Sequence, residues 1–239
     1  MGGGPMSEFV DFSFRRREEE VQRILQEASP VVIWPCDEGV LVIAANKDGR
    51  ENRIHAIYDR IVCVTLGGFS AGTILWQDAA FRASAEGYQL SKGDVSCRIL
   101  IKTTSAVLSD SFQNLRRGPA FGAEAIFAEV AADRDDDYLA HVTFNGFVQT
   151  FNTAKLFGRI QKKEGGNVKD DGGKATTIAH ERLESLWNPE LTIRESLAAL
   201  RGDQAFSAMF DSVRVEAVTL DRRAVRDEKF DKVLKRLTM

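Results

Sequence analysis

Three apolar segments between residues 31 and 69 constrain the fold of this chain more than any other feature. They cover residues 31–34, 40–45 and 61–66, and turn-forming residues separate them. Short runs rich in β-branched residues with turns at both ends predict β-strands. Two of the runs are apolar without alternation, so we expect both faces of their sheet to be covered.

Helices and further strands follow the same logic along the rest of the chain. A charged helix over residues 15–28 has one apolar stripe, and Asp94 is a good N-cap for a helix at 95–112. Residues 192–195 form a capping box, and a last helix is predicted from Asp227, with Phe230 on its apolar side. Other helices are predicted at 70–88, 175–187 and 192–202, and other strands at 124–132, 138–144, 147–151, 155–160 and 211–220. Two sheets covered by helices would bury the continuous strands, so the pattern predicts one α+β domain with αββα layers.

Composition excludes several classes of function. The 239 residues include 32 basic and 35 acidic side chains, for a net charge of -3, which argues against nucleic-acid binding driven by net charge. Three distant cysteines without a CxxC pair argue against a zinc site or a disulfide scaffold and favour a reducing compartment. No run approaches the roughly 18–20 apolar residues of a membrane span. We therefore expect a cytoplasmic protein with no membrane or nucleic-acid partner.

Few residues indicate a cofactor or a metal site. His55, His141 and His180 are widely spaced, so each is expected to be a surface or packed histidine. The acidic run 133–137 predicts a polar hairpin tip rather than a cation site, because no bidentate Glu follows at the spacing of an EF-hand. The chain has no Gly-rich phosphate loop. We expect no cofactor and no bound metal.

Several segments, in their order and spacing, resemble the α subunit of the proteasome core particle. They are Gly39–Asn46, Arg53-Ile54 ahead of Tyr58-Asp59-Arg60, Leu66-Gly67-Gly68-Phe69, and Glu86-Gly87-Tyr88 shortly before Gly93-Asp94-Val95. The resemblance continues through residues 127–131 and the helix at 191–201 with the strand that follows, and covers roughly residues 15–235. The arm signature of archaeal and eukaryotic α subunits is absent from residues 6–28, so the resemblance is to the bacterial type.

The resemblance implies a fold and a set of partners. The family has the N-terminal-nucleophile hydrolase fold, a four-layer αββα sandwich, here expected over residues 15–239. Seven α subunits form a ring that caps the catalytic β rings. The implied partner is a ring-shaped ATPase or another activator; in the bacterial type the ATPase delivers proteins marked with a prokaryotic ubiquitin-like tag.

The resemblance also implies roles for particular residues. Residues 1–14 would be a flexible arm that closes the axial gate; its members singled out here are Phe9, Asp11, Phe12 and Phe14. Arg53 would take the place of the family's pocket lysine and bind the terminal carboxylate of an activator tail. Gly67 and Gly68 would allow that tail to approach the backbone closely.

The same resemblance argues against catalysis by this chain. Catalytic β subunits begin their first strand with a threonine, whereas Ser29 and Pro30 stand at the matching junction and a helix precedes them. The Asp of the β subunits falls near Ala45, and their lysine falls at Arg53, which does not readily lose its proton. We expect a non-catalytic α subunit. The alternatives are a threonine peptidase of the same fold and a monomeric binding module unrelated to proteolysis.

Overall fold

A computed structural model describes residues 5–46, 52–89, 91, 94–160, 162–164, 167–169, 173–211, 214–229 and 232–237. The helices are α1 Pro5–Gln26, α2 Phe69–Gln89, α3 Cys97–Gln113, α4 Lys174–Leu186, α5 Ile193–Gly202, α6 Ser207–Phe210 and α7 Arg222–Arg226. The strands are β1 Val31–Cys36, β2 Gly39–Asn46, β3 Ile54–Tyr58, β4 Ile61–Gly67, β5 Ala123–Glu129, β6 Tyr138–Val142, β7 Val148–Phe151, β8 Lys155–Phe157, β9 Lys162–Glu164, β10 Asn167–Lys169, β11 Arg214–Asp221 and β12 Leu234–Leu237.

Two antiparallel five-stranded sheets form the centre of the fold. The first sheet has the order β12-β11-β2-β1-β8, and the second has the order β3-β4-β5-β6-β7; β9 and β10 form a separate hairpin. The two sheets pack face to face, with α2 and α3 on the outer face of the second sheet and α4 and α5 on the outer face of the first. The predicted α+β class and αββα layering are confirmed.

Side-chain alternation explains why the central strands are apolar throughout. In β1, Val31 and Ile33 point into the core between the sheets, whereas Val32 and Trp34 pack towards α4 and α5. In β4, Val62 and Val64 likewise face the other sheet, and their neighbours face α2 and α3. Both faces of these central strands are therefore buried, which removes the polar alternation typical of a half-exposed strand.

The first helix begins earlier than the sequence pattern predicted. A start at Arg15 was wrong, because α1 begins at Pro5 and includes residues 5–14. Proline is well tolerated in the first turn of a helix, where its missing N–H would have no partner in any case. The apolar stripe of the predicted helix also continues upstream at helical spacing through Phe14 and Val10.

Two predictions near the ends of elements were also wrong. The cap of α3 is Ser96 instead of Asp94; the Ser96 hydroxyl accepts a hydrogen bond from the Arg98 amide. The helix predicted from Asp227 is replaced by the short helix α7, capped by Asp221, and by β12, which pairs with β11. Pairing with a buried strand outweighs the helical periodicity of a short segment. Phe230, assigned to that helix, and residues 212–213 of the predicted strand lie outside the described residues.

The capping box predicted at residues 192–195 is confirmed at the start of α5. The Thr192 hydroxyl accepts a hydrogen bond from the Glu195 amide, and the Glu195 carboxylate accepts one from the Thr192 amide at 2.9 Å. These bonds hold the pKa of Glu195 below its usual value. The capping box fixes the N-terminus of α5, a helix that covers the outer face of the first sheet.

Candidate functional site

The three residues predicted to form an activator pocket line one cleft. Arg53, Gly67 and Gly68 meet at the open end of the sandwich, where the chain enters β3 and leaves β4. The cleft has a volume of about 300 Å³. Its other lining residues are Asn46, Asn52, His55, Thr65, Phe69, Thr73 and Trp76.

A buried carboxylate holds Arg53 in place through the backbone. Glu216 projects from β11, and its oxygens accept hydrogen bonds from the Arg53 amide at 3.0 and 3.2 Å. The same carboxylate lies 3.4 Å from the Ile54 amide and 3.5 Å from the Asn46 side-chain nitrogen. The Arg53 guanidinium reaches across the cleft mouth and donates to the Thr65 carbonyl at 3.4 Å. A residue of the first sheet therefore fixes the start of β3 in the second sheet.

The two glycines provide a floor on which only backbone is present. Gly67 has a φ of +90°, which favours glycine, and a Cβ there would lie 2.2 Å from the Gly122 carbonyl oxygen. The Gly68 amide donates to that same carbonyl oxygen at 2.7 Å. The C-terminal part of α1 packs here too, because a Cβ on Gly67 would meet Leu25 at 3.0 Å.

Aromatic side chains form the opposite wall of the cleft. His55 stacks on Trp76 with ring centroids 4.4 Å apart and an interplanar angle of 6°. Burial, with a smaller effect of the nearby Arg236, lowers the pKa of His55 to about 4, so this imidazole is neutral at pH 7. Phe69 is 58% exposed at the rim. Within the described chain the buried Thr73 hydroxyl has no hydrogen-bond partner, so it could bond a ligand in the cleft.

The residues predicted for the gate arm lie on the first half of α1. Asp11 is exposed and Phe12 is 64% exposed, and Phe9 belongs to the same helix. Phe14 is half-buried, and its ring lies 6.0 Å from that of Phe112 on α3. The helix therefore connects the proposed arm at one end with the glycine floor of the cleft at the other.

The hydroxyl groups of Ser29, Thr103, Thr104 and Thr176 do not stand at the exposed start of a strand, where a catalytic threonine would lie. Ser29 is buried two residues before β1. Thr103 and Thr104 lie within α3, where Thr104 is buried and the Thr103 hydroxyl donates to the Leu100 carbonyl at 2.9 Å. Thr176 lies in the first turn of α4 and bonds the backbone of residue 160.

The other polar clusters have structural partners. His141 lies 2.8 Å from Glu124, and burial lowers the pKa of His180. Asp137, predicted to be part of a polar hairpin tip, instead forms two hydrogen bonds of 2.7 Å with Arg222, which is fully buried. Among the described residues, no group of three or more possible metal-ligating side chains comes together.

Glu216 is the site residue that sequence reasoning missed. It occupies the polar side of an alternating pattern, together with Arg214, so the pattern predicts exposure, yet it is 5% exposed. The aromatic pair of His55 and Trp76 was also missed, because the two residues belong to different elements. No sequence signal here distinguishes a buried carboxylate that holds amides from one that faces solvent.

The chain is similar in sequence to proteasome α subunits from several bacteria. No protein-family model matches the chain. It is 26% identical over 210 residues to the proteasome subunit alpha of Arthrobacter sp. (strain FB24), covering 86% of this chain and 82% of the relative. It is 25% identical over 207 residues to the proteasome subunit alpha of Thermomonospora curvata, with coverage of 87% and 82%. For that of Jonesia denitrificans the identity is 23% over 218 residues, with coverage of 88% and 85%.

The αββα fold and these relatives make the chain similar to subunits of the proteasome class. Within that class, the chain is a relative of the bacterial α subunits over most of its length. The resemblance seen in the sequence is confirmed. No helix among the described residues has the length and apolar character needed to cross a membrane.

Proposed function

We propose that this chain is a non-catalytic α subunit of a proteasome core. In this proposal it forms an outer ring with neighbouring copies, binds a ring of β subunits, and controls the entry of protein substrates. The observation that carries the proposal is the similarity to bacterial proteasome α subunits across 86–88% of the chain in three relatives. The buried or helical positions of Ser29, Thr103 and Thr104 favour a subunit without its own nucleophile.

The cleft at Arg53 is the proposed docking site for the C-terminal tail of an activator. A guanidinium binds a carboxylate through two parallel hydrogen bonds, and such charge-assisted bonds are stronger than neutral ones. The bare backbone at Gly67 and Gly68 lets an extended tail approach without a clash. A ring-shaped ATPase is the proposed activator, and the cytoplasm is the proposed location because that machine needs ATP.

The first half of α1 is the proposed gate. Phe12 is exposed there, and seven copies of an apolar side chain around a ring axis could close a pore by mutual contact. The other half of α1 packs beside the tail cleft, at Gly67 and Gly122. Tail binding and movement of the gate would therefore act on the same helix.

Native mass spectrometry combined with a fluorogenic-peptide assay tests this function. The chain should be measured alone and after mixing with the β-type subunit of the same source. We expect a mixed particle with seven copies of this chain per ring, and peptide hydrolysis only when β is present. Hydrolysis by the purified chain alone would support the threonine-peptidase alternative, and a monomer that binds no β subunit would support an unrelated binding module.

A further inference from the structure

Two more arginines lie beside the tail cleft, on strands β11 and β12 of the first sheet. Arg214 begins β11, and its guanidinium donates to the Asn52 side-chain oxygen at 2.9 Å. Arg236 lies on β12 and donates to the Ile54 carbonyl at 3.3 Å. Asn52 lines the cleft, and Ile54 directly follows Arg53. Both arginines therefore flank the start of β3, the segment that carries Arg53.

These two guanidinium groups are available to an anion from outside the chain. Both residues are exposed, and in the part of the chain that the structure describes each donates to a neutral oxygen and forms no ion pair with a carboxylate. The preceding residue of β12, Lys235, is instead paired with Asp221 at 2.7 Å. Burial, and after it the charge of Arg236, lowers the pKa of His55, so the field of Arg236 acts within the cleft.

The surroundings of the cleft are positive, although the whole chain has a net charge of -3. Among the described residues, the guanidinium groups at positions 53, 214 and 236 stand against one carboxylate, that of Glu216. His55 adds no charge at pH 7, because its pKa is about 4. Glu216 is 5% exposed and turned towards backbone amides. A ligand that enters the cleft therefore meets the guanidinium groups and not the carboxylate.

We propose that the cleft selects an activator tail that carries an aspartate or glutamate shortly before its terminal carboxylate. The inference rests on the proposed docking function and adds a second anion contact to it. The terminal carboxylate binds Arg53, and the acidic side chain lies against Arg214 and Arg236. An extended chain advances about 3.3 Å per residue, so an acidic residue within about four positions of the C-terminus reaches these long side chains. Charge complementarity of this kind serves mainly to discriminate between partners.

Binding of fluorescent tail peptides to the assembled particle tests the selection. The peptides are made in pairs that have a free C-terminus and differ only by Asp or Asn at one of the last four positions. The Asp peptide should bind about threefold more tightly at low salt, which is the order of effect of an exposed ion pair. Most of this difference should disappear at about 1 M salt, because salt screens exposed charges. The salt series needs no variant and so does not depend on how a variant folds.

Variants on β11 and β12 identify the groups responsible. Arg214→Gln/Arg236→Gln should lose the preference for Asp and keep the advantage of a carboxylate over an amide, which Arg53 provides. Lys235→Gln is the matched control, because Lys235 is adjacent in β12 and already paired with Asp221, and it should leave the preference unchanged. Arg236→Glu should turn the preference towards a peptide with lysine at that position. A cleft that is merely loosened would not produce such a reversal.

The outcomes separate this inference from the docking function on which it rests. Equal binding of the Asp and Asn peptides to the wild type, with the carboxylate still favoured over the amide, would overturn the acidic selection and leave the docking function in place. A preference for Asp that persists in the double variant would overturn it as well. Equal binding of carboxylate and amide peptides would refute the docking function, and this inference with it.

Discussion

Replacement of Glu216 by alanine tests whether the tail cleft is held together from the far sheet. The Glu216 carboxylate accepts hydrogen bonds from the Arg53 amide at 3.0 and 3.2 Å and lies 3.4 Å from the buried Ile54 amide. Without it, two backbone donors at the start of β3 lose their acceptor, because β3 is the edge strand of its sheet among the described residues. Arg53 would then lose its fixed position beside Thr65.

The size of the effect follows from these bonds. A hydrogen bond to a charged group contributes about 1.5–3 kcal/mol, and a buried donor left without a partner costs about 1–3 kcal/mol. Partial access of water near Arg53 reduces the sum, so we expect Glu216→Ala to lower the free energy of unfolding by about 3 kcal/mol. Glu216→Gln keeps one acceptor oxygen of the same shape and should cost about 1 kcal/mol.

Urea denaturation followed by tryptophan fluorescence measures the loss of stability. A fluorescent short peptide with a free C-terminal carboxylate, compared with its amide, measures carboxylate binding in the cleft. The matched control is Glu129→Ala, because Glu129 is also buried and bonds Arg60 at 3.0 Å and the Cys97 amide at 2.8 Å, away from the cleft. Both Ala variants should be destabilised, but only Glu216→Ala should lose the difference between carboxylate and amide. Equal peptide binding by both would refute the positioning role of Glu216.

Three further predictions concern the cleft and α1. Arg53→Ala should abolish the stimulation of peptide hydrolysis by an activator tail peptide, whereas Arg53→Lys should retain part of it. Unaltered stimulation in Arg53→Ala would show that Arg53 is only a surface charge. Deletion of residues 1–14 should speed peptide hydrolysis by the assembled particle, and an unchanged rate after the deletion would refute the assignment of these residues to the gate. Burial lowers the pKa of His55 from 6.5 to about 4, so the unfolded chain binds more protons than the folded chain between these values and stability should fall as pH falls through that window. His55→Phe should flatten that part of the curve of stability against pH, and an unchanged slope would assign the dependence to other groups.

The central strands could be predicted from sequence because their signal is local. The continuous apolar runs of β1, β2 and β4 reflect burial on both faces, and the capping box of α5 lies within four residues. The layering followed from these elements alone, since such strands need helices on both sides. The family resemblance predicted that Arg53, Gly67 and Gly68 form one pocket, and in the structure all three line one cleft.

Several of the wrong predictions concern contacts between parts of the chain that are distant in sequence. The helical periodicity after Asp227 is real, but pairing between Leu234–Leu237 and β11 determines the structure there. Asp137 belongs to an acidic run typical of an exposed turn, yet Arg222, 85 residues away, buries it. A pattern of polar and apolar residues records exposure along one element and carries no information about a partner from another element.

In the cleft, the groups that hold the backbone in place differ from the group proposed to select a ligand. Glu216 holds the Arg53 backbone through its amide, so the position of residue 53 does not depend on its own side chain. Position 67 requires glycine, because its φ is +90° and the Gly122 carbonyl oxygen leaves no room for a Cβ. The side chain at position 53 can therefore change between lysine and arginine without altering the frame. Lysine carries its charge on one ammonium group, whereas arginine presents a planar guanidinium with several N–H donors. The guanidinium favours a terminal carboxylate that lies in its plane and accepts two parallel hydrogen bonds.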